Sequence, residues 1–161
     1  MKKFSLILLV IFIANLGCKK NVGGGLCACS PLEQTPSLIV LKGNSGIDLL
    51  NPATPGFFDK NQIQLYSKDV NNNIKYINVY INTPFTFNSD NKISYYQLAS
   101  YELISLAKNI DNSFYLKLGS DKIYQLNLEV KNGVIVKLLV NNIAAPQEYA
   151  LLRSIYTIQV Q

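Results

Sequence analysis

The sequence contains no histidine and no tryptophan, and charged residues make up 16% of the chain, well below the usual quarter. Without histidine, a serine–histidine–aspartate triad has no general base, and a zinc site has no imidazole ligand. Arginine occurs once, at Arg153, and lysines form no cluster beyond the N-terminal region. The basic stripe typical of nucleic-acid binding is therefore missing, and we expect no nucleic-acid partner.

Cysteine is also scarce, with Cys18, Cys27 and Cys29 as the three copies. Cys27 and Cys29 lack the further Cys or His ligands of a structural zinc site, so neither a metal nor a cofactor is expected. A disulfide between them would be strained, because a relaxed bridge prefers Cα atoms about 5.5 Å apart. A local disulfide, two thiols and, last, a metal site are the three alternatives for this pair.

The N-terminal residues have the pattern of a bacterial lipoprotein signal. Lys2 and Lys3 precede the apolar run Phe4–Ala14, which is shorter than the roughly 20 residues of a membrane span but long enough for a secretory signal. Gly17 stands directly before Cys18. The pattern predicts cleavage after residue 17 and acylation of Cys18, which would anchor the mature chain to a membrane. Ordinary secretion and an uncleaved anchor are the alternatives.

The predicted organisation has three parts: a signal peptide over 1–17, the lipidated cysteine with a glycine-rich flexible tether over 18–36, and one domain over 37–161. Lys19 and Lys20 follow the cysteine directly. Surface-exported lipoproteins of the Bacteroidota often carry acidic residues at these positions. By that resemblance we expect the periplasmic face of the outer membrane, with surface exposure as the alternative.

From Ser37 onward, short strand patterns and turn signals follow each other at intervals of about ten residues. Alternating apolar and polar residues on both sides of Asn132-Gly133 predict a hairpin, because both central positions of such a turn need positive φ. Phe114–Leu118 is predicted to pair with Lys122–Val130 in a meander. About eight or nine short strands predict an all-β fold, an antiparallel β-sandwich of the immunoglobulin-like or a related type.

Two longer segments, Ile74–Ile81 and Ile93–Ile104, are each predicted as one strand, the second with a helical turn near Ala99–Leu106. The first would place Tyr76 and Tyr80 on one strand face, and Tyr95, Tyr96 and Tyr101 lie close together in the second. Aromatic faces can stack on sugars, although tyrosine is also a common strand residue with an apolar body and a polar tip. Carbohydrate contact is therefore an alternative to purely structural tyrosines.

The most distinctive internal motif is Gly46-Ile47-Asp48-Leu49-Leu50-Asn51-Pro52. Asp48 and Asn51 can accept hydrogen bonds from nearby backbone N–H groups, as expected for a structural turn. Conspicuous loops on rigid scaffolds often carry function. Asp48 and Asn51 are therefore also the candidate residues of a ligand loop.

Two sets of acidic residues could in principle support calcium binding or glycoside hydrolysis. Asp69–Asn73 matches the first half of a calcium loop, but Ile74 stands where that loop needs Gly and Tyr80 where it needs Glu, so a turn is predicted. A glycosidase would need two carboxylates in one cleft. The candidates are few and scattered, and no catalytic residue is predicted among them: Asp48, Asp59, Asp69, Glu102 and Glu129.

With the N-terminal signal, this loop and three further segments resemble a group of small uncharacterised lipoproteins of the Bacteroidota. The segments are Cys27-Ala28-Cys29-Ser30-Pro31, Leu38-Ile39-Val40 and Val140-Asn141-Asn142. The resemblance implies a β-sandwich. We expect a non-enzymatic binding or accessory module of the cell envelope, anchored to the membrane by its lipid, with a protein or glycan partner. The first alternative is an assembly lipoprotein that pairs with another chain through an edge strand. The last alternative is a hydrolase, which would need two of the five carboxylates named above in one cleft.

Overall fold

The computed structural model describes residues 36–88, 91–108, 113–148 and 155–161, all within one compact unit, Gln34–Gln161. The predicted signal peptide and, except for Pro36, the predicted tether lie outside the described residues, as do Cys18, Cys27 and Cys29. Among the described residues, no helix has the length and apolar character needed to cross a bilayer.

The described residues contain twelve strands, one turn of 3-10 helix over Lys60–Gln62 and one short helix, α1 (Glu102–Leu106). The prediction of an all-β sandwich is confirmed. The strands are β1 (Ser37–Lys42), β2 (Ile63–Lys68), β3 (Ile74–Ile77), β4 (Tyr80–Asn82), β5 (Phe85–Asn88), β6 (Asn91–Ile93), β7 (Gln97–Ser100), β8 (Ser113–Leu118), β9 (Lys122–Lys131), β10 (Val134–Val140), β11 (Ile143–Ala144) and β12 (Ile155–Gln159).

The strands form two sheets and a separate hairpin. One sheet has four strands in the order β12-β1-β7-β4, the other has six in the order β11-β10-β9-β8-β2-β3, and β5 pairs with β6. The predicted meander of β8 and β9 is confirmed. One pair departs from the antiparallel prediction, because β1 and β12 run parallel with Leu38 opposite Ile155.

The main core lies between the inner faces of the two sheets. In β8, Phe114, Leu116 and Leu118 are buried and alternate with more exposed residues, as a half-buried strand requires. Tyr156 of the four-stranded sheet reaches across this core, and its hydroxyl donates a hydrogen bond of 3.0 Å to the Ile135 carbonyl of β10. The same cluster includes Ile39, Leu41, Leu65, Leu98, Leu126, Leu138 and Ile158.

A second, smaller cluster covers the outer face of the four-stranded sheet. Val40 and Ile155 are buried there against Ile93 of β6, with Leu38 and Tyr95 packed around them. Side chains alternate along a strand. In β1, Ile39 and Leu41 therefore pack in the main core, whereas Leu38 and Val40 pack in this second cluster. β1 is therefore covered on both faces.

The prediction of one strand over Ile74–Ile81 is wrong. β3 pairs with β2 in the six-stranded sheet, whereas β4 pairs with β7 in the four-stranded sheet. Ile77 and Val79 are both buried, so the apolar alternation runs unbroken through the corner between the sheets. A period of two residues shows which side chains point inward, but not which sheet the backbone belongs to.

The prediction of one strand over Ile93–Ile104 is also wrong, since β6, β7 and α1 occupy this segment in turn. Its helical turn is confirmed as α1. Such breaks explain why the described residues contain twelve strands where about eight or nine were expected.

The Asn132-Gly133 hairpin is confirmed, with φ values of 51° and 74° at its two central residues. The regular alternation predicted for β10 is wrong, because the pairing with β9 shifts between Ile135 and Lys137. Val136 is the extra residue of this bulge and is 45% exposed, while Ile135 is buried. A bulge inserts one residue and so exchanges the two faces of the strand.

Leu116 gives the first testable prediction, since it is fully buried in the centre of the main core. Leu116→Ala removes three carbon atoms and leaves a cavity, so the free energy of unfolding should fall by about 2–5 kcal/mol. Val136→Ala, in the exposed bulge, should change it by less than about 0.5 kcal/mol. Urea denaturation of both variants measures the difference, and equal losses would contradict the assignment of the core.

Candidate binding groove

A surface groove of about 320 Å³ opens where the chain crosses from β3 to β4. We call it the tyrosine groove, because Tyr76 and Tyr80 both line it. The structure thus brings together the two tyrosines that the sequence placed on one strand, although they belong to different sheets. Four further polar side chains contribute to its lining: Lys60, Asn61, Gln64 and Asn78.

The 3-10 turn at one end of the groove is fixed by hydrogen bonds to Asp59. The Asn61 backbone N–H donates to Asp59 Oδ1 at 2.8 Å, and the Asp59 N–H donates to Gln62 Oε1 at 2.9 Å. This reciprocal arrangement is a capping box, which satisfies two donors that a helix start leaves free. Lys60 and Asn61 are therefore held at defined positions beside β2.

Tyr76 belongs to a row of three tyrosines on the outer face of the six-stranded sheet. Cross-strand register places it opposite Tyr66, which in turn lies opposite Tyr115. The ring centroids are 6.2 Å apart for Tyr76–Tyr66 and 5.3 Å apart for the stacked pair Tyr66–Tyr115. Burial, with the neighbouring rings of Tyr115 and Tyr76, raises the pKa of Tyr66. Tyr76 is 66% exposed, so the row supports an aromatic side chain that faces solvent.

Tyr80, on the other side of the crossing, is supported by different neighbours. Its ring meets the ring of Tyr101 edge-on at 6.2 Å, and the Lys60 ammonium lies 5.4 Å from its centroid. The crossing itself is linked to α1, because Asn78 Nδ2 donates to Glu102 Oε1 at 2.7 Å. Strands and a helix therefore position both tyrosines, which favours precise recognition over a mobile loop surface.

The side chains of this groove are suited to non-covalent recognition. Its amide side chains, Asn61, Gln64 and Asn78, can each donate and accept hydrogen bonds. Its tyrosines offer apolar ring faces together with a polar hydroxyl. The six polar side chains of the lining include no carboxylate, thiol or aliphatic hydroxyl.

Asp48 and Asn51, the residues predicted for a ligand loop, bond to backbone in the structure. Asp48 Oδ1 accepts from the Leu50 N–H at 3.0 Å, and its Oδ2 accepts from the Tyr96 N–H at 2.7 Å. Asn51 Oδ1 accepts from the Ala53 N–H at 3.0 Å. These are the contacts of the structural-turn alternative, and the Tyr96 bond also ties the loop to the segment before β7.

The other predicted carboxylates are each engaged locally. Asp69 accepts from the side chain and backbone of Asn73, which lower its pKa, and so confirms the turn between β2 and β3. Glu129 pairs with Lys131 at 2.8 Å, while Asp59 and Glu102 make the bonds given above. Across the described residues, no three His, Cys, Asp or Glu side chains come close enough to hold a metal ion.

A partly buried ionic cluster, which we had not expected, closes the outer edge of β12. Lys42 Nζ lies 2.7 Å from Glu148 Oε1 and 3.9 Å from the ring centroid of Tyr95, and Thr157 Oγ1 donates to Glu148 Oε2 at 2.5 Å. Burial opposes the charge of Glu148, but the hydrogen bonds from Lys42 and Thr157 outweigh it and lower its pKa. Burial likewise opposes the charge of Lys42, but its bonds to Glu148 and Tyr95 raise the pKa.

The other outer strands are short. β11 has two residues and leads to Pro146, β4 has three, and β3 has four with the exposed charge of Lys75. β12 is covered by a neighbouring segment, since the Thr157 N–H donates to the Pro146 carbonyl at 2.9 Å and the Glu148 N–H to the Ile155 carbonyl at 3.0 Å. Short, charged or covered edges are poor templates for pairing with another chain. β11 pairs only with Leu139 and Val140, so the preceding part of β10 also lies at that edge.

Comparison with models of protein families, with curated proteins and with solved structures finds no match to this chain.

The groove was only partly foreseeable from the sequence. Tyr76 and Tyr80 were two of five tyrosines considered as sugar contacts, and the other three, Tyr95, Tyr96 and Tyr101, do not line the groove. Lys60, Asn61 and Gln64 were not considered. The segment that holds these three has one local signal, the Asp59-x-x-Gln62 spacing of a capping box, which indicates a helix start and not a groove. The corner that brings them beside Tyr80 depends on the pairing of β4 with β7.

Glu148 gives the second prediction. Because its pKa in the folded state is below the ordinary value of 4.5, the carboxylate stabilises the fold above that pH, and the contribution is lost as the pH falls through the folded-state value. Between about pH 5 and pH 3, the free energy of unfolding should therefore fall more for the wild type than for Glu148→Gln. Urea denaturation across this range measures both slopes. Equal slopes would show that the Lys42–Glu148 contact does not form.

Proposed function

We propose that this protein is a lipid-anchored, non-enzymatic binding module of the bacterial cell envelope that holds a glycan in the tyrosine groove. The observation that carries the binding part is the pairing of solvent-facing Tyr76 and Tyr80 with amide side chains in one groove. The anchor rests on the lipoprotein signal that ends at Cys18.

The groove chemistry matches what a sugar presents. A pyranose ring has an apolar face of C–H groups and a rim of hydroxyls that donate and accept hydrogen bonds. Tyr76 and Tyr80 can contact the apolar face, since both rings are about half exposed or more, at 66% and 48%. Asn61, Gln64 and Asn78 can bond to hydroxyls, because each amide offers both a donor and an acceptor.

The anchor gives this binding a location. Acylation of Cys18 would hold the domain beside a membrane through residues 19–36, whose glycines favour a flexible coil. A glycan within reach of such a tether belongs to the envelope itself or passes through it. Lys19 and Lys20 favour the periplasmic side of the outer membrane in this proposal, by the resemblance to Bacteroidota lipoproteins.

The alternative proposal, assembly through an edge strand, has less support. It would need a long, uncovered strand at a sheet edge, because main-chain hydrogen bonds give such pairing its affinity. Among the described strands, β3, β4 and β11 have two to four residues and β12 is covered by the segment around Pro146–Glu148. The first part of β10 is the longest uncovered stretch, because β11 pairs only with Leu139 and Val140.

The anchor provides the third prediction. Cells that express the full chain should incorporate labelled palmitate into the wild type and not into Cys18→Ala, because the thiol of Cys18 is the proposed acceptor. Cys27→Ala is the matched control and should be labelled like the wild type. Label in Cys18→Ala, or an intact Met1 on the wild-type chain, would contradict the anchor.

The binding provides the fourth prediction. On an array of neutral and acidic envelope oligosaccharides, the detergent-solubilised protein should bind at least one class. Tyr76→Ala and Tyr80→Ala should each weaken that binding by about tenfold, because one aromatic contact contributes about 1 kcal/mol or slightly more.

Ile143→Ala is the matched control for these variants. Ile143 is 74% exposed and lies on β11, at the opposite edge of the six-stranded sheet. It should bind like the wild type. A protein that binds no glycan, or a Tyr76→Ala variant that binds as well as the wild type, would refute glycan binding in the groove.

A further inference from the structure

The charges in and beside the tyrosine groove narrow the class of its ligand. We infer, on the basis of the proposed function, that the glycan is acidic, carrying carboxylates such as those of uronic acids. Its chain runs out of the groove along the row formed by Tyr76, Tyr66 and Tyr115, in which Tyr66 is buried and Tyr76 and Tyr115 are accessible. The inference rests on the positions of lysines relative to these tyrosines.

Lys60 is the first of these lysines. It is the one charged side chain in the lining of the groove. Its ammonium lies over the Tyr80 ring, and within the described part of the chain no carboxylate comes into ion-pair distance of it. A cation that shares a groove with two exposed tyrosines and has no anionic partner is suited to a ligand that brings the negative charge.

Two carboxylates lie near the groove, and both accept hydrogen bonds from groups other than Lys60. Asp59 precedes Lys60 directly, and one of its oxygens accepts from the Asn61 N–H of the capping box. Glu102 accepts from Asn78 Nδ2. Neither side chain is part of the lining, so neither takes the place of a ligand carboxylate beside Lys60.

Lysines also accompany the tyrosine row beyond the groove. The Lys68 ammonium lies 5.1 Å from the ring centroid of Tyr115. Lys117, two residues after Tyr115 on β8, shares the outer face because it pairs with Gln64. Neither lysine forms an ion pair with the described carboxylates. The tyrosine row therefore extends from the groove toward Lys68 and Lys117, two lysines that have no carboxylate partner among the described residues.

The rest of the outer face of the six-stranded sheet also carries a net positive charge. Register places Lys131, Lys137 and Glu129 on it, and Glu129 is already paired with Lys131 at 2.8 Å. The described strands of the six-stranded sheet thus direct four lysines and one carboxylate outward: Lys68, Lys117, Lys131, Lys137 and Glu129. A surface of one sign with little opposing charge attracts an anionic chain.

The geometry sets the direction of that chain. Tyr76, Tyr66 and Tyr115 lie on three adjacent strands, which are about 4.8 Å apart, so the row extends about 10 Å across the sheet. Lys60 lies at the groove end of the row, and the Lys68 ammonium lies beside Tyr115 at the far end. Lys117 is on the strand of Tyr115, opposite the groove residue Gln64. A linear glycan that crosses the strands can therefore meet a cation at both ends.

The test compares acidic oligosaccharides with their own methyl esters, which keep the sugar and lose the charge. Hexamers of galacturonic, glucuronic and mannuronic acid, each in both forms, are titrated against the detergent-solubilised full chain at 50 mM salt, a condition at which the Debye length is about 14 Å. At least one acid should bind about fivefold or more tightly than its ester. Lys60→Gln should remove about fivefold of the acid's affinity and leave the ester unchanged, as expected for one exposed ion pair of about 1 kcal/mol.

Lys92→Gln is the matched control, because Lys92 is an exposed lysine on the separate β5–β6 hairpin. It should bind both forms like the wild type. If neutral sugars or esters bind as tightly as the acids and Lys60→Gln changes neither, the inference is wrong. The proposed function then still stands, provided that Tyr76→Ala weakens the binding. If no sugar binds in a Tyr76-dependent way, the proposed function fails and the inference fails with it.

Discussion

The burial of β1 on both faces is the constraint on which the rest of this structure depends. A strand with apolar side chains on alternating sides needs cover above and below, and β1 obtains it from two different sources. The six-stranded sheet covers Ile39 and Leu41, whereas the β5–β6 hairpin and Tyr95 cover Leu38 and Val40. Lys42 ends the same outward row, and its charge is satisfied by Glu148 at the margin of the second cluster.

The tyrosine groove follows from the way the two sheets are joined. The chain changes sheets within two residues, Asn78 and Val79, and Val79 remains in the core as it does so. A corner that tight leaves space between the end of β3 and the start of β4. Tyr76 and Tyr80, on the two sides of this corner, are held by packed tyrosines and by the adjacent helix. The groove is therefore part of the rigid frame of the sandwich.

Local patterns in the sequence predicted the local structure well. The Asn132-Gly133 turn and the β8–β9 meander follow from spacing and from residue conformational preference. The turn at Asn141-Asn142, with φ values of 50° and 67°, belongs to the same class but lacks the glycine that makes such a turn conspicuous.

Features that depend on distant parts of the chain were not predicted. The parallel pairing of β1 with β12, the change of sheet after Ile77 and the contact of Lys42 with Glu148 join residues whose proximity no local pattern encodes. The Val136 bulge is a further example, because one additional residue exchanged the two faces of a strand whose alternation appeared regular. The groove depends on both local patterns and distant contacts. The sequence drew attention to its tyrosines, whereas its lysine and amides are brought beside them by the fold.

The pairing of the first strand of the domain with its last has a consequence for how the molecule is made. β1 leaves the ribosome before any of its neighbours, yet its partner β12 arrives only when synthesis of the domain is nearly complete. Contacts between such distant segments slow folding, because a long loop must close before they form. The four-stranded sheet is therefore expected to assemble late, after the local hairpins of the six-stranded sheet. Until then, the apolar side chains of β1 need protection from aggregation.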